Sequence, residues 1–192
     1  MDKYLKIALN AVKKSGDVIK QEYEKFDRRT SMLKAHHEIV TKCDLISEEI
    51  IVNEIRRNFP SSGIVSEEKG VIKGYDRYTW ILDPIDGTTN FAMHNPLWAI
   101  SLALVEDDDI VLGVIYAPVL KELFVGTKDQ GAKLNGDRIR VSNIKEGKIL
   151  NTYCHGRENK DIKRAMSYLR QQKLSGFDCR QIGSAALELA SI

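Results

Sequence analysis

The chain has 192 residues, and its content of 43% hydrophobic and 29% charged residues is typical of a globular protein and excludes a disordered or fibrous chain. Its 29 basic and 27 acidic residues nearly balance, so the net charge gives no indication of a nucleic-acid partner. No apolar stretch reaches the ~20 residues that a membrane-spanning helix needs, and the N-terminus lacks the apolar core of a signal peptide.

Two long helices are predicted near the N-terminus. Apolar residues at helical spacing indicate a first helix over residues 3–25 and a second over residues 44–58. The predicted inward stripe includes Val18 in the first helix and Leu45 in the second. Pro60 and the Ser-Ser-Gly sequence after it end the second helix, because proline cannot continue a helix.

Extended segments dominate the middle of the chain. Residues 63–66 and 79–83 are short apolar runs typical of strands, and both lead into acidic residues. The later predicted elements are strands at 98–105, 110–116, 123–126, 133–134, 138–141 and 149–154, a helix at 160–172, an extended segment at 180–182 and a helix at 184–190. This order, without internal repeats, predicts one compact mixed α/β domain over residues 1–192.

The three cysteines, Cys43, Cys154 and Cys179, are widely spaced and form no CxxC pair. An odd number of distant cysteines is typical of reduced thiols in a protein of the cytoplasm. We therefore expect a cytoplasmic protein without disulfides.

The segment from Trp80 to Phe91 carries the strongest functional signal. Asp83 and Asp86 stand three residues apart directly after an apolar run, and Gly87 follows them. Carboxylates at a strand end can hold a hard cation, and N–H groups at a following helix start can hold a phosphate. The alternative is structural, because Asp-Pro and Asp-Gly are common turn pairs and Asp is a common helix cap. Pro84 favours the metal site, since it stiffens the backbone that presents both carboxylates.

Other acidic residues lie beside predicted strand and helix ends. Glu67 and Glu68 follow the strand at 63–66 and are either a surface acidic pair or the source of a third carboxylate for the cation. A third carboxylate is needed because Mg²⁺ prefers an octahedron of oxygen ligands, which two carboxylates seldom complete. Asp44 begins the second predicted helix, where its simplest role is that of an N-cap.

Small and hydroxyl side chains occur at two predicted helix starts. Thr88 or Thr89 would lie in the first helical turn after the aspartates, where a hydroxyl can orient a water or a phosphate oxygen. The sequence Gly183-Ser184-Ala185 opens the last predicted helix. Its small residues either allow close helix packing or let a substrate approach the backbone.

Four motifs together resemble the inositol monophosphatase family of Mg²⁺-dependent, lithium-sensitive sugar phosphatases. In chain order they are Ser66-Glu67-Glu68-Lys69-Gly70, the segment from Trp80 to Phe91, Gly131-Ala132 with Asn135-Gly136, and Gly183-Ser184-Ala185-Ala186. The string Asp-Pro-Ile-Asp-Gly-Thr-Thr-Asn-Phe is highly specific, and the likeness runs from the first helix to Ile192. The resemblance implies a layered α-β-α-β-α sandwich of the sugar phosphatase type that forms a homodimer when full length.

The resemblance also implies a metal centre and its catalytic residues. The expected Mg²⁺ ligands, for two or three ions that Li⁺ would antagonise, are Glu67, Asp83, Asp86 and the carbonyl of Ile85. Glu67 and Thr88 would help to activate the attacking water, and Asp44 matches a carboxylate near that water. This is the arrangement of a phosphoric monoester hydrolase.

The substrate contacts implied by the resemblance lie in two segments. Asp86, Gly87 and Thr88 would cradle the phosphate. Gly183, Ser184 and Ala185 match positions that touch the sugar ring. The expected partner is therefore a small phosphorylated polyol or sugar such as inositol 1-phosphate, with neither a membrane nor a nucleic acid.

The sequence departs from the family pattern near its C-terminal end. Family members carry a later Trp-Asp segment whose aspartate is a metal ligand, whereas the only tryptophans here are Trp80 and Trp98. We therefore expect an incomplete domain that lacks its final strands and helices. The second metal site would also be incomplete, and the 192-residue chain would be weakly active or inactive.

Two alternatives to an inositol phosphatase stay open. A fructose-1,6-bisphosphatase or a nucleotide 3′-phosphatase of the same superfamily is the first, although Ile85 and the sequence Thr88-Thr89-Asn90-Phe91 favour the inositol type. The second belongs to another class, because some bacterial relatives bind the transcription machinery. A catalytically incomplete fragment would then act as a protein-interaction module.

Overall fold

The computed structural model describes residues 1–25, 32–33, 39–40, 42–143, 151–152 and 158–191, with the backbone alone at 32–33, 39–40 and 151–152. Cys154 and most of the strand predicted over 149–154 lie outside these residues. Cys43 and Cys179 are buried thiols that are not joined in a disulfide. Among the helices in the described ranges, none is long and apolar enough to cross a membrane.

Two long helices form one layer of the fold, as predicted. Helix α1 spans Asp2–Lys25 and helix α2 spans Lys42–Asn58, and the two pack against each other. Their apolar residues at helical spacing are buried, among them Ala8, Ala11, Val12 and Ile19 of α1 and Ile51, Val52 and Ile55 of α2.

Two residues of the predicted inward stripes are exposed instead. The exposed fraction is 37% for Val18 and 47% for Leu45, so both assignments are wrong. In α2 the cause is that polar residues occupy the buried face of its first two turns, where Asp44, Ser47 and Glu48 are buried. The inward face therefore does not coincide with the apolar face there.

Most strands belong to one large sheet. The strands are β1 Met32–Leu33, β2 Ile39–Val40, β3 Gly63–Ser66, β4 Gly70–Ile72, β5 Tyr78–Asp86, β6 Ala99–Glu106, β7 Asp109–Ala117, β8 Glu122–Thr127, β9 Gly131–Leu134, β10 Asp137–Ile139, β11 Asn151–Thr152 and β12 Cys179–Arg180. The eight strands from β3 to β10 form a sheet in the order β10-β9-β8-β7-β6-β5-β3-β4. Strands β3 and β5 run parallel, and the other neighbours in this sheet are antiparallel.

Helices cover both faces of this sheet. Because side chains alternate between faces along a strand, Trp80, Leu82 and Leu102 point towards α1 and α2 and form the main core with them. Ala99 and Ala117 form a second cluster with Leu187 of helix α5, which spans Ala185–Ala190. The mixed α/β class predicted from the sequence is thus confirmed.

Three smaller elements complete the described fold. Helix α3 spans Thr88–Ala92 and follows β5 after a single residue, Gly87. Helix α4 spans Asn159–Leu174 and joins β11 to β12, which pair in parallel. Strands β1 and β2 pair in antiparallel fashion.

Strand β5 is longer than predicted, and its irregularity positions the two aspartates. It continues beyond Asp83 to Asp86, and its register against β6 shifts between these residues, so that Asp83 lies opposite Ser101 and Asp86 opposite Ala99. Residues three apart point to opposite faces of a regular strand. The extra residue of this bulge offsets that alternation, so both carboxylates can serve one site.

Buried hydroxyl groups connect the helical layer to the end of β5. The hydroxyl of Ser15 donates to that of Ser47 at 2.9 Å, and Ser47 donates to the carbonyl of Pro84 at 2.8 Å. Ser15 and Ser47 are both fully buried. Since Pro84 lies between the two aspartates, this chain of hydrogen bonds fixes the backbone from which they project.

We expect Ser47→Ala to lower the free energy of unfolding by about 1–3 kcal/mol, because it leaves the Pro84 carbonyl and the Ser15 hydroxyl buried without their partner. Urea unfolding followed by circular dichroism measures this loss. The matched control is Ser167→Ala on an exposed side of α4, which should change stability by less than about 0.5 kcal/mol. Equal stability of the two variants would contradict the structural role of Ser47.

Candidate active site

Asp83 is the centre of a cluster of carboxylates. Its pKa is raised from 3.8 to about 8, first by burial and then by the negative charges of Asp86, Glu67 and Asp44. Its Oδ1 atom is buried and accepts no hydrogen bond from the described residues. Carboxylates from three different elements, namely β5, the loop after β3 and α2, are therefore close enough to Asp83 to raise its pKa.

This cluster fits a hard cation. An isolated negative charge in a partly buried position is unfavourable, and a divalent ion with a preference for carboxylate oxygens would offset both the burial and the mutual repulsion. In the described part of the chain, however, no three His, Cys, Asp or Glu side chains already stand in a ligating arrangement. The donors therefore have the right chemistry and are near each other without forming a closed cage.

Glu67 lies in a tight hairpin loop. Ser66 pairs with Gly70 across β3 and β4, which leaves Glu67, Glu68 and Lys69 as the loop residues. Gly70 has φ 69°, the left-handed conformation that closes loops of this length. Strand β4 was not predicted from the sequence, because three residues with one apolar pair carry little signal.

Asp44 does not occupy the helix N-cap position that was its simplest predicted role. Helix α2 begins at Lys42, so Asp44 lies within the first helical turn rather than at the N-cap. It is 2% exposed and close enough to Asp83 to raise the pKa of that residue. Its position therefore favours a role at the carboxylate cluster over helix capping.

Asp86 is bound by the start of helix α5. The hydroxyl of Ser184 and the backbone N–H of Ala186 donate to its Oδ2, the latter at 2.8 Å, and the N–H of Ala185 donates to Oδ1 at 3.2 Å. Ser184 is also the N-cap of α5, because its oxygen accepts from the N–H of Leu187. Asp86 and the candidate residues Ser184 and Ala185, which are about a hundred positions apart in the sequence, are thus in direct contact.

The glycines at this contact allow the close approach. Gly87 has φ 93°, and a Cβ atom there would lie 3.0 Å from the Leu97 carbonyl oxygen and 3.2 Å from that of Gly183. Gly183 has φ 82°, and a Cβ atom there would lie 3.1 Å from the side-chain amide nitrogen of Asn90. Both positions combine a left-handed backbone with crowding, so neither tolerates a side chain easily.

Thr88 and Ile85 also contact each other. The hydroxyl of Thr88 donates to the carbonyl oxygen of Ile85 at 3.0 Å. A hydroxyl that donates its proton keeps two acceptor positions, so Thr88 can still accept a hydrogen bond from a water. The carbonyl of Ile85 likewise has a second lone pair for another partner.

Three buried polar residues that sequence reasoning did not assign to the site hold its loops. Asn90 donates to the carbonyls of Leu97 and Ile182, both at 2.7 Å. Glu188 accepts from the N–H groups of Ile182 and Gly183, and Glu48 accepts from Ser66 and Lys69. The sequence held one signal for Glu48 and Glu188, namely a charged residue at an inward position of a helix.

Comparison with known proteins gives the family of this chain. The sequence model of the inositol monophosphatase family matches residues 1–192. The chain is 35% identical over 195 residues to Nus factor SuhB of Pasteurella multocida, which covers 100% of this chain and 73% of that protein.

Solved structures agree with this match. The extragenic suppressor protein suhB of Bartonella henselae superposes with a TM-score of 0.88 at 30% identity, covering 99% of this chain and 74% of that one. Inositol monophosphatase of Anabaena superposes with a TM-score of 0.81 at 32% identity, covering 100% of this chain and 71% of that one.

We expect Gly87→Ala to lower the free energy of unfolding by about 1–3 kcal/mol, since the new Cβ both occupies a left-handed position and crowds two carbonyl oxygens. Urea unfolding measures the loss, and amide hydrogen exchange at residues 182–186 should rise with it. Gly126→Ala is the control, because Gly126 has ordinary backbone angles and open space within 4 Å of its Cβ position. A variant at Gly87 as stable as this control would refute the close packing.

Proposed function

Because this chain belongs to the inositol monophosphatase family, we propose that it hydrolyses a phosphate monoester of inositol or of a related sugar with the help of Mg²⁺. The observation that carries the proposal is the Asp83 carboxylate, which is partly buried, accepts no hydrogen bond at Oδ1 from the described residues and lies near three further carboxylates. Such a concentration of negative charge destabilises the metal-free protein, and a cation-binding role explains it.

The proposed ligands come from one edge of the sheet. Glu67, Asp83, Asp86 and the carbonyl of Ile85 would hold Mg²⁺, and the number of ions is expected to be two or three. Ions held there would supply a lower pKa for a nucleophilic water and charge stabilisation for the leaving oxygen. The protein itself supplies oxygen ligands and orients the reactants.

Three residues are proposed to prepare the attacking water. The Thr88 hydroxyl already donates a hydrogen bond to the Ile85 carbonyl, so its oxygen is left to accept a hydrogen bond from the water and thereby fix the water's orientation. Glu67 would accept a proton from the same water, because a carboxylate is a hydrogen-bond acceptor and a base. Asp44 would support this polarisation from the first turn of α2.

Substrate would lie between α3 and α5. Asp86, Gly87 and Thr88 would cradle the phosphate, where the first N–H groups of α3 have no partner within the helix. The loop of Gly183, Ser184 and Ala185 would contact the sugar. That loop is held against Asp86. A polyol bound there would therefore contact backbone groups and a carboxylate that accepts hydrogen bonds from hydroxyl groups.

A second candidate function rests on the relatives' names. Several proteins that resemble this chain are named Nus factor SuhB, which favours a protein-interaction role besides or in place of hydrolysis. The two candidates differ in one measurable property, the Mg²⁺-dependent release of phosphate.

We predict that Asp83→Asn in the full-length protein abolishes Mg²⁺-dependent phosphate release, by at least ~100-fold, because it removes a ligand charge. The same change should leave the melting temperature in EDTA equal or higher, since it relieves repulsion between carboxylates and the asparagine oxygen can still accept the hydrogen bond from the backbone of Ile85. Asp83 is the better target than Asp86, which also accepts bonds from α5.

The control for this experiment is Asp108→Asn, which makes the same chemical change at an exposed turn. It should retain both activity and stability. Wild-type activity in the Asp83 variant would refute the metal site. A folded wild-type protein that releases no phosphate from any tested ester would favour the interaction role.

We further predict that inositol 1-phosphate is hydrolysed with a kcat/KM at least about tenfold higher than fructose 1,6-bisphosphate or 3′-AMP. The reason is that the contact loop of small residues beside Asp86 suits a compact ring with several hydroxyl donors. A colorimetric phosphate assay over this panel, with and without Li⁺, gives the ranking. Preference for the bisphosphate or the nucleotide would instead support the alternative phosphatases of the superfamily.

A further inference from the structure

Glu48 is a fully buried carboxylate next to the candidate site. It lies on α2, and its side chain is inaccessible to solvent. Its Oε1 accepts hydrogen bonds from the hydroxyl of Ser66 and from the N–H of Lys69, the latter at 3.0 Å. Its Oε2 lies 3.7 Å from the Nζ atom of Lys69 and accepts no hydrogen bond from the described residues.

These contacts enclose the loop that carries Glu67. Ser66 immediately precedes Glu67, and Lys69 follows Glu68, so a single oxygen of Glu48 holds both sides of the loop. The loop itself projects from the edge of β3 and β4, and Glu67 is exposed. The hydrogen bonds to Glu48 therefore tie the loop that carries Glu67 to α2.

The burial of Glu48 is costly, and packing alone does not explain it. Removing a carboxylate from water costs several kcal/mol, which one partly exposed lysine recovers only in part. Ile51, Val52 and Ile55 continue the same buried face of α2, so an apolar side chain would suit this position in a purely structural helix. The cost is explained if the orientation of the Glu67 loop matters for function.

We propose that Glu48 is a positioning residue that holds the Glu67 loop in the orientation needed for Mg²⁺ binding. This inference rests on the proposed function, because it assigns Glu67 to the metal. Glu48 acts through the hydrogen bonds of its Oε1 atom, and it touches neither metal nor substrate. A glutamine at this position retains an acceptor oxygen of the same reach, while it removes the charge and replaces the Oε2 atom beside Lys69 with an NH2 donor.

The experiment compares four variants of the full chain: Glu48→Gln, Glu48→Ala, Ser66→Ala and Glu49→Gln. Glu49 is the next residue of α2 and is exposed, so its variant makes the same charge change away from the loop. Mg²⁺ affinity is measured by titration calorimetry, and the order of the loop by amide hydrogen exchange at residues 66–70 in EDTA. Phosphate release at saturating Mg²⁺ is measured separately.

Glu48→Ala should weaken Mg²⁺ binding by about 10- to 100-fold, the usual effect of removing a residue that orients a metal ligand. Its hydrogen exchange at residues 66–70 should rise, and most of its kcat should return at saturating Mg²⁺. Ser66→Ala removes one of two anchors and should weaken binding by about two- to tenfold, which keeps the test valid if the Glu48→Ala variant does not fold. Glu48→Gln and Glu49→Gln should both stay near wild type.

Two results among the variants would overturn the proposal. One is Mg²⁺ affinity in Glu48→Ala or Ser66→Ala equal to that of Glu49→Gln. The other is a loss in Glu48→Gln as large as in Glu48→Ala, which would show that charge rather than hydrogen bonding is responsible. A wild-type protein that binds Mg²⁺ in this Glu48-dependent manner yet releases no phosphate would refute the proposed hydrolysis and leave the positioning role intact. A wild-type protein that binds no Mg²⁺ would refute both.

Discussion

The burial of the Asp83 carboxylate at the end of a central strand is the constraint on which the surrounding structure depends. A carboxylate that lacks a donor at one oxygen and faces three like charges is unfavourable, and its raised pKa expresses that cost. The fold does not relieve the repulsion by moving the groups apart. Several buried hydrogen bonds instead keep the backbone around Asp83 in place.

These bonds come from three helices, namely α2, α3 and α5. Ser47 of α2 fixes the carbonyl of Pro84, and Thr88 of α3 fixes that of Ile85. The start of α5 holds Asp86, and Glu48 holds the loop of Glu67. Because these groups are themselves buried or partly buried, their bonds are protected from exchange with water. The result is that the backbone segments that carry Asp83 and Glu67, together with the Asp86 carboxylate, are held in place by hydrogen bonds.

Much of this arrangement could be predicted from the sequence, and the remainder could not for identifiable reasons. Helical spacing located α1 and α2, and the strands predicted at 133–134 and 138–141 lie on either side of Asn135-Gly136, a pair that readily takes the positive φ angles of the observed turn. The inward face of α2 was misassigned at Leu45, because polar residues that serve the site replace apolar ones in its first turns. The bulge in β5 left no trace in the hydrophobic pattern.

The contact between Asp86 and α5 was beyond sequence reasoning, since it joins residues about a hundred positions apart, and it has a consequence for recognition. An ionised carboxylate offers about four lone-pair positions, and Ser184, Ala185 and Ala186 take three of them. Few positions then remain for a cation or a substrate hydroxyl. Any ligand of Asp86 must therefore share that carboxylate with the start of α5, and its binding is coupled to the position of the Gly183–Ala185 loop. In our proposal Asp86 binds both cation and phosphate, and it also holds the loop proposed to contact the sugar, so substrate selection and metal binding would depend on the same carboxylate.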